Sequence, residues 1–246
     1  MVDIISIIKK FKKNTFSIIN PMETKKLFNN LYCIKDGDSN YFIYKKGNKI
    51  IAIDSGYKNS TTRDDEFKKI GIQLEDINSI FLTHIDSDHA GCLYEENPAF
   101  NDIEIYLHEN EKAHLLKKSE RVKLGFIKIS HKLEAVNKIK YFKDNSPIYV
   151  GDIKIKPILT AGHTLGHTCY FIDDKYLFIG DSLILNNGLG YRFFDLLGFN
   201  NKQNSESLLN LKDFAIKNKC EYIITSHTGI SNDVEKAFKY YNRKLS

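Results

Sequence analysis

Thr83-His84-Ile85-Asp86-Ser87-Asp88-His89-Ala90-Gly91 gathers four side chains able to bind a cation within six residues, directly after the apolar run 79–83. A short apolar run that stops at a polar turn reads as a buried strand. The His and Asp side chains then lie in a loop at a strand end, where rigid scaffolds usually carry chemistry. Imidazole suits zinc and iron, and carboxylate suits harder ions as well. One tetrahedral ion does not readily accept four donors from so short a turn, whereas two adjacent ions do. An EF-hand loop starting at Asp86 is excluded: Asp88 and Gly91 fit its third and sixth positions, but Ala90 and Asn97 stand at the fifth and twelfth. A closed structural zinc site needs four Cys or His donors. Cys92 has no CxxC partner, and such a site leaves the carboxylates unexplained. A merely solvated acidic turn does not account for the two flanking histidines.

Working outward, further donors follow at the ends of strand-like runs. His163 lies in Thr160-Ala161-Gly162-His163-Thr164-Leu165-Gly166-His167-Thr168, where glycine permits a tight turn. Asp181 follows the run 176–179 and Gly180, and a carboxylate there can face two cations at once. His227 ends the run 221–225. Each alone reads as structural; the ordered set points to metal. His167 reads either as support for the metal loop or as packing within it. His108, His114 and His131 have no motif context and read as surface or packing residues.

Runs at 31–34, 41–44 and 49–54, separated by Asp36-Gly37-Asp38 and Lys46-Gly47-Asn48, read as an antiparallel meander ending at Asp54-Ser55-Gly56. A helix is expected over about 61–70, strands over 103–107 and 153–159, a helix over 110–118, and a hairpin around Asp173-Asp174. Leu208, Leu211, Phe214 and Ala215 give a helix face. Val234, Ala237, Phe238 and Tyr241 predict a closing helix with Ser231 as its N-cap. The lysine-rich stretch 120–146 shows no clear period.

The ordered set resembles the metallo-β-lactamase-fold hydrolases from about Leu31 to the end of the chain. Tyr41 to Gly56 resembles the family's opening hairpin, the stretch 83–91 its first metal motif, and Gly162-His163-Thr164, Gly180-Asp181 and His227 the later ones. The resemblance implies an α/β (α+β) four-layer αβ/βα sandwich with the site at one edge between two sheets. It further implies one metal site from His84, Asp86 and His163, a second from Asp88, His89 and His227, and Asp181 bridging them. The family usually has histidine where this chain has Asp86, and its flavodiiron branch carries a carboxylate there. Two divalent ions are therefore expected, zinc first, with iron or manganese admitted by Asp86.

The reaction so implied is hydrolysis of a small ester, thioester, lactone or phosphodiester by a hydroxide held between two ions about 3.5–4 Å apart. Asp88 would orient the nucleophile or take its proton. GHTLGHTCYF at 162–171 resembles the thioesterase (glyoxalase II) branch, without that enzyme's extra C-terminal helical region. The lactonase branch's tyrosine is replaced by Ile184. Tyr191 and Arg192 are candidate substrate-binding residues, while Phe193 and Phe194 line the pocket or belong to the core. Two other classes stay open: an iron-dependent redox enzyme of this fold, and an inactive ligand-binding or regulatory module.

Composition bounds these readings. The chain has 246 residues, 42% hydrophobic and 27% charged, which suits one large domain at 21–246 and argues against disorder. A net charge of +5 rests on scattered lysines rather than a basic groove, so a small-molecule substrate is expected and nucleic acid is not. A homo-oligomer is compatible with the sequence. Cys33, Cys92, Cys169 and Cys220 form no framework. With no signal peptide or membrane-length apolar stretch, the cytoplasm is the expected address. At 1–20, Ile4, Ile7, Ile8 and Phe11 among lysines predict a basic amphipathic helix that caps the domain or a partner, rather than one lying on a membrane.

Overall fold

The computed structural model describes residues 18–115, 121–123, 127–129, 139–143 and 145–244. The expectations placed on residues 1–17 and on His131 lie outside them. Residues 18–20 already join the body: Ile19 is buried, and the Asn20 N–H donates to the His227 carbonyl at 3.0 Å.

In chain order, β2 (Leu31–Asp36), β3 (Ser39–Lys46) and β4 (Lys49–Ile53) form the expected meander, which β1 (Lys25–Phe28), a strand not expected from the sequence, extends at its start. Helix α1 (Arg63–Ile70) leads to β5 (Ser79–Phe81) and β6 (Glu104–His108). The helix expected at 110–118 starts as a 3₁₀ turn and continues as one turn, α2 (Lys112–Leu115), within the described residues. A hairpin of β7 (Arg121–Lys123) and β8 (Ile127–Ile129) precedes β9 (Ile139–Phe142). These strands give a seven-stranded sheet in the order β1-β2-β3-β4-β5-β6-β9, antiparallel up to β4 and parallel beyond it.

The second half contributes β10 (Ile148–Val150), β11 (Ile153–Leu159), β12 (Thr168–Ile172) and β13 (Tyr176–Gly180). A small ribbon of β14 (Leu183–Asn186) and β15 (Leu189–Arg192) is followed by the long helix α3 (Asn201–Lys217). Then come β16 (Tyr222–Thr225), β17 (Gly229–Ser231), the one-turn α4 (Val234–Ala237) and β18 (Tyr240–Lys244). The second sheet runs β10-β11-β12-β13-β16-β17, and β13 pairs with β16 in parallel across α3.

Side chains alternate across a strand, and here both faces of the central strands are buried. Phe42 and Tyr44, Ile51 and Ile53, Tyr170 and Ile172, and Tyr176 and Phe178 meet between the two sheets. Tyr41, Ile43, Ile50 and Ala52 face the other way and pack with Phe67 of α1. Cys169, Phe171, Leu177 and Ile179 face Leu208, Leu211 and Ala215 of α3. Helix, sheet, sheet and helix thus stack as the four-layer αβ/βα sandwich expected from the sequence.

The closing helix expected from Val234 to Tyr241 is a correction. Only one turn forms; Asp233, not Ser231, caps it through the Lys236 N–H at 3.0 Å. Ser231 ends β17, and Tyr240 begins a strand that pairs with Tyr191 of β15.

Candidate metal centre

The four loops bearing the predicted donors leave strands of both sheets, the first from the seven-stranded sheet and the other three from the second. The 82–90 loop follows β5, the 160–167 loop joins β11 to β12, Asp181 follows β13, and His227 follows β16. The tight turns have identifiable causes. Gly162 sits at φ +142, where a Cβ would lie 2.3 Å from the Asn204 amide nitrogen on α3. Gly180 sits at φ +57, with His167 Nε2 and Thr83 filling the space a side chain would need.

The loops bring the seven predicted side chains into two adjoining clusters. His84, Asp86, His163 and Asp181 form one and Asp88, His89 and His227 the other, each with donor atoms within 4.8 Å of one another. Asp86 Oδ2 lies 3.3 Å from His84 Nε2 and 3.2 Å from His163 Nε2. Asp88 Oδ2 lies 3.4 Å from His89 Nε2 and 3.6 Å from His227 Nε2. Asp181 spans both: its Oδ2 is 3.9 and 3.6 Å from His84 and His163, and its Oδ1 is 3.3 and 3.1 Å from His89 and His227.

Hydrogen bonds on the far side of three rings fix which nitrogen faces inward. The His89 Nδ1–H donates to Asp54 Oδ2 at 2.9 Å, and the His227 Nδ1–H donates to the Asp38 carbonyl at 2.6 Å. The Thr83 hydroxyl donates to the Asp54 carboxylate at 3.0 Å. Thr83 Oγ1 is then the acceptor for the His84 Nδ1–H at 2.9 Å. All three imidazoles thus present Nε2 to the cluster, where these nitrogens and Asp181 Oδ1 are buried without a hydrogen-bond partner. Buried polar atoms are rarely left unpaired, and lone pairs converging from imidazole and carboxylate suit a metal ion.

The charges point the same way. Burial disfavours a charged His89, but the carboxylates of Asp181, Asp88 and Asp54 outweigh it and raise its pKa well above the usual imidazole value. His227 is raised in the same sense, burial being overcome by Asp181 and Asp88. Burial pushes the carboxyls up, yet His89 and His227 hold Asp181 well below the ordinary range and bring Asp88 to about 2. Without an ion, protons take the positions that cations would hold.

The sequence could not name Asp54, Asp38 and Thr83 as the groups that orient the rings. Asp54 lies on the loop after β4 at φ +64, far in sequence from His89. The candidate substrate residues have partners outside the clusters. Arg192 is engaged by Asp195 at 2.8 Å and by Ser205 Oγ at 2.6 Å, and Tyr191 packs on Tyr240 with ring centroids 5.0 Å apart. Phe193 is buried with Ile184, Phe194 and Leu197, and its ring lies 5.2 Å from His163 and 5.4 Å from His227. His108 and His114 are buried packing residues. No described helix is long and apolar enough to cross a membrane.

Known proteins share sequence and fold with this chain. The chain is 30% identical over 124 residues to the probable metallo-hydrolase YqgX of Bacillus subtilis, covering 50% of this chain and 56% of that protein. It is 31% identical over 166 residues to the hydroxyacylglutathione hydrolase of Dictyostelium discoideum, covering 65% of this chain and 52% of that protein. The chain thus spans little more than half the length of these curated relatives. An archaeal metallo-beta-lactamase superfamily protein from Sulfolobus tokodaii shares the fold with a TM-score of 0.63 at 21% identity, over 86% of this chain and 84% of that one. The family model of the metallo-beta-lactamase superfamily matches residues 34–227, from the second strand to the last predicted donor, and the chain belongs to that superfamily.

Proposed function

We propose that the chain is a hydrolase of small esters, thioesters, lactones or phosphodiesters that works with two divalent metal ions. His84, Asp86 and His163 hold one ion, Asp88, His89 and His227 the other, and Asp181 is shared. The observation that carries this reading is the Asp181 carboxylate, with Oδ2 toward His84 and His163 and Oδ1 toward His89 and His227. When bound, such ions lower the pKa of water to about 7 and polarise a carbonyl or phosphoryl oxygen.

The chain's own residues do the rest. Asp88 is the most exposed donor of the seven, at 9%, so its carboxylate faces the direction of substrate entry and orients the attacking water or takes its proton. Phe193 packs on an imidazole from each cluster and excludes water behind them. Thioesters come first among the substrates, supported by the hydroxyacylglutathione hydrolase relative and by the GHTLGHTCYF stretch at 162–171. Zinc is the first metal, and the Asp86 carboxylate admits iron or manganese. Four free, buried cysteines support a reducing, cytoplasmic setting.

The test is element-specific metal analysis of protein purified without added metal, followed by a panel of ester, thioester, lactone and phosphodiester substrates. Two metal equivalents and turnover are expected, both lost together in His84→Ala and Asp181→Ala. Unchanged metal content and turnover in either variant would remove the assigned roles.

A further inference from the structure

The assignment of seven donors leaves one imidazole at the centre without a role. His167 is fully buried, with its ring centroid 5.1 Å from His84 and 5.9 Å from His163. Its nitrogens are nevertheless committed elsewhere. Nε2 accepts the Asp181 backbone N–H at 3.1 Å. A backbone amide can only donate, so Nε2 carries the lone pair and Nδ1 the proton. Nδ1 lies 3.0 Å from both Thr160 Oγ1 and Ser182 Oγ. The Thr160 hydroxyl donates to the His167 carbonyl at 3.3 Å, which leaves Thr160 Oγ1 free to accept the Nδ1–H. The ring also fills the space beneath the Gly180 turn, its Nε2 lying 2.8 Å from where a Cβ would stand.

We propose that His167 is a positioning residue that fixes the Asp181 backbone and so aims one carboxylate oxygen at each cluster. It is not an eighth ligand, because both ring nitrogens already have protein partners. Through it, the 160–167 loop that carries His163 and the strand end that carries Asp181 are set as one unit. The inference rests on the reading of Asp181 as a shared metal ligand.

The test compares His167→Met, which keeps bulk but offers the amide only a weak thioether acceptor, with His167→Gln, whose side-chain oxygen restores a strong one. Zinc stoichiometry and affinity are measured by chelator competition, with circular dichroism to check folding. His167→Met is expected to bind both zincs about 10–100-fold more weakly, and His167→Gln to recover most of that loss. Nitrogen-15 NMR of the metal-free wild type is expected to show His167 protonated at Nδ1 and bare at Nε2. Wild-type affinity in His167→Met, no recovery in His167→Gln, or a proton on Nε2 would each overturn the inference. If His167→Met does not fold, the tautomer and His167→Gln decide. A wild type that takes up no zinc removes the metal reading and this inference with it. A wild type that loads two zincs beside an unaffected His167→Met removes the inference alone.

Discussion

At the scale of single residues, Asp54 shows how much the clusters depend on groups that are not among the seven donors. Its carboxylate accepts from the Thr83 N–H at 2.7 Å, from the Thr83 hydroxyl and from His89 Nδ1. Truncation to alanine strands three buried donors, each at about 1–3 kcal/mol. Asp54→Ala is therefore expected to lose about 3 kcal/mol of stability, read as a lower urea midpoint at unchanged slope; a loss below about 0.5 kcal/mol would contradict the role. The histidines give a pH prediction. The pKa values of His89 and His227 are raised in the metal-free fold, their burial being outweighed by neighbouring carboxylates. Their charge pairs therefore stabilise the metal-free protein below the unfolded value of about 6.5. That contribution is lost as pH rises through the raised folded values. An incoming cation must displace these protons, so zinc affinity should climb with pH. Calorimetric titration in buffers of different ionisation heat should register proton release on binding; none at neutral pH would count against the assignment.

At the scale of elements, the turn at Gly162 joins the loop of His163 to the first turn of α3. The Asn200 N–H donates to the Gly162 carbonyl at 2.7 Å, and the Phe199 N–H to that of His163 at 3.0 Å. Gly162→Ala places a methyl 2.3 Å from the Asn204 nitrogen at φ +142. The strain and overpacking should cost about 1–3 kcal/mol each and lower bound zinc, measured by thermal unfolding and metal analysis of the same sample. The strands were legible because their short apolar runs are punctuated by turn residues, Asp36-Gly37 and Lys46-Gly47 in the first half and Asp173-Asp174 in the second. The donors were legible because they cluster at strand ends in a fixed order. The end of the chain misled because Val234, Ala237, Phe238 and Tyr241 keep a helical spacing for a reason other than a helix. Ala237 and Phe238 are buried beside α3, and Tyr240 is drawn into pairing with β15, so tertiary packing overrides local period. Asp54 and Asp38 escaped because a carboxylate or carbonyl that meets an imidazole only through the fold leaves no local signal.

At the scale of the molecule, the clusters tie the two halves of the sandwich together. His84, Asp86, Asp88 and His89 come from the first sheet's edge, and His163, Asp181 and His227 from the second's. An ion bound to the folded chain but not the unfolded one should stabilise it by about 4 kcal/mol at a thousandfold excess over its dissociation constant. Chelation should therefore lower the melting temperature by about 10 °C, reversed by adding zinc back; an unchanged melting curve would show that the ions do not bridge the halves. The parallel pairing of β13 with β16 has a consequence for assembly order. Parallel neighbours cannot form until the intervening crossover has been placed, and pairings distant along the chain form slowly. His227 therefore reaches the other donors only after α3 has docked. During synthesis the first half can collapse early, but the cluster of Asp88, His89 and His227 is complete only once residue 227 has emerged, so uptake of a coloured ion such as cobalt at that cluster would time the docking of β16.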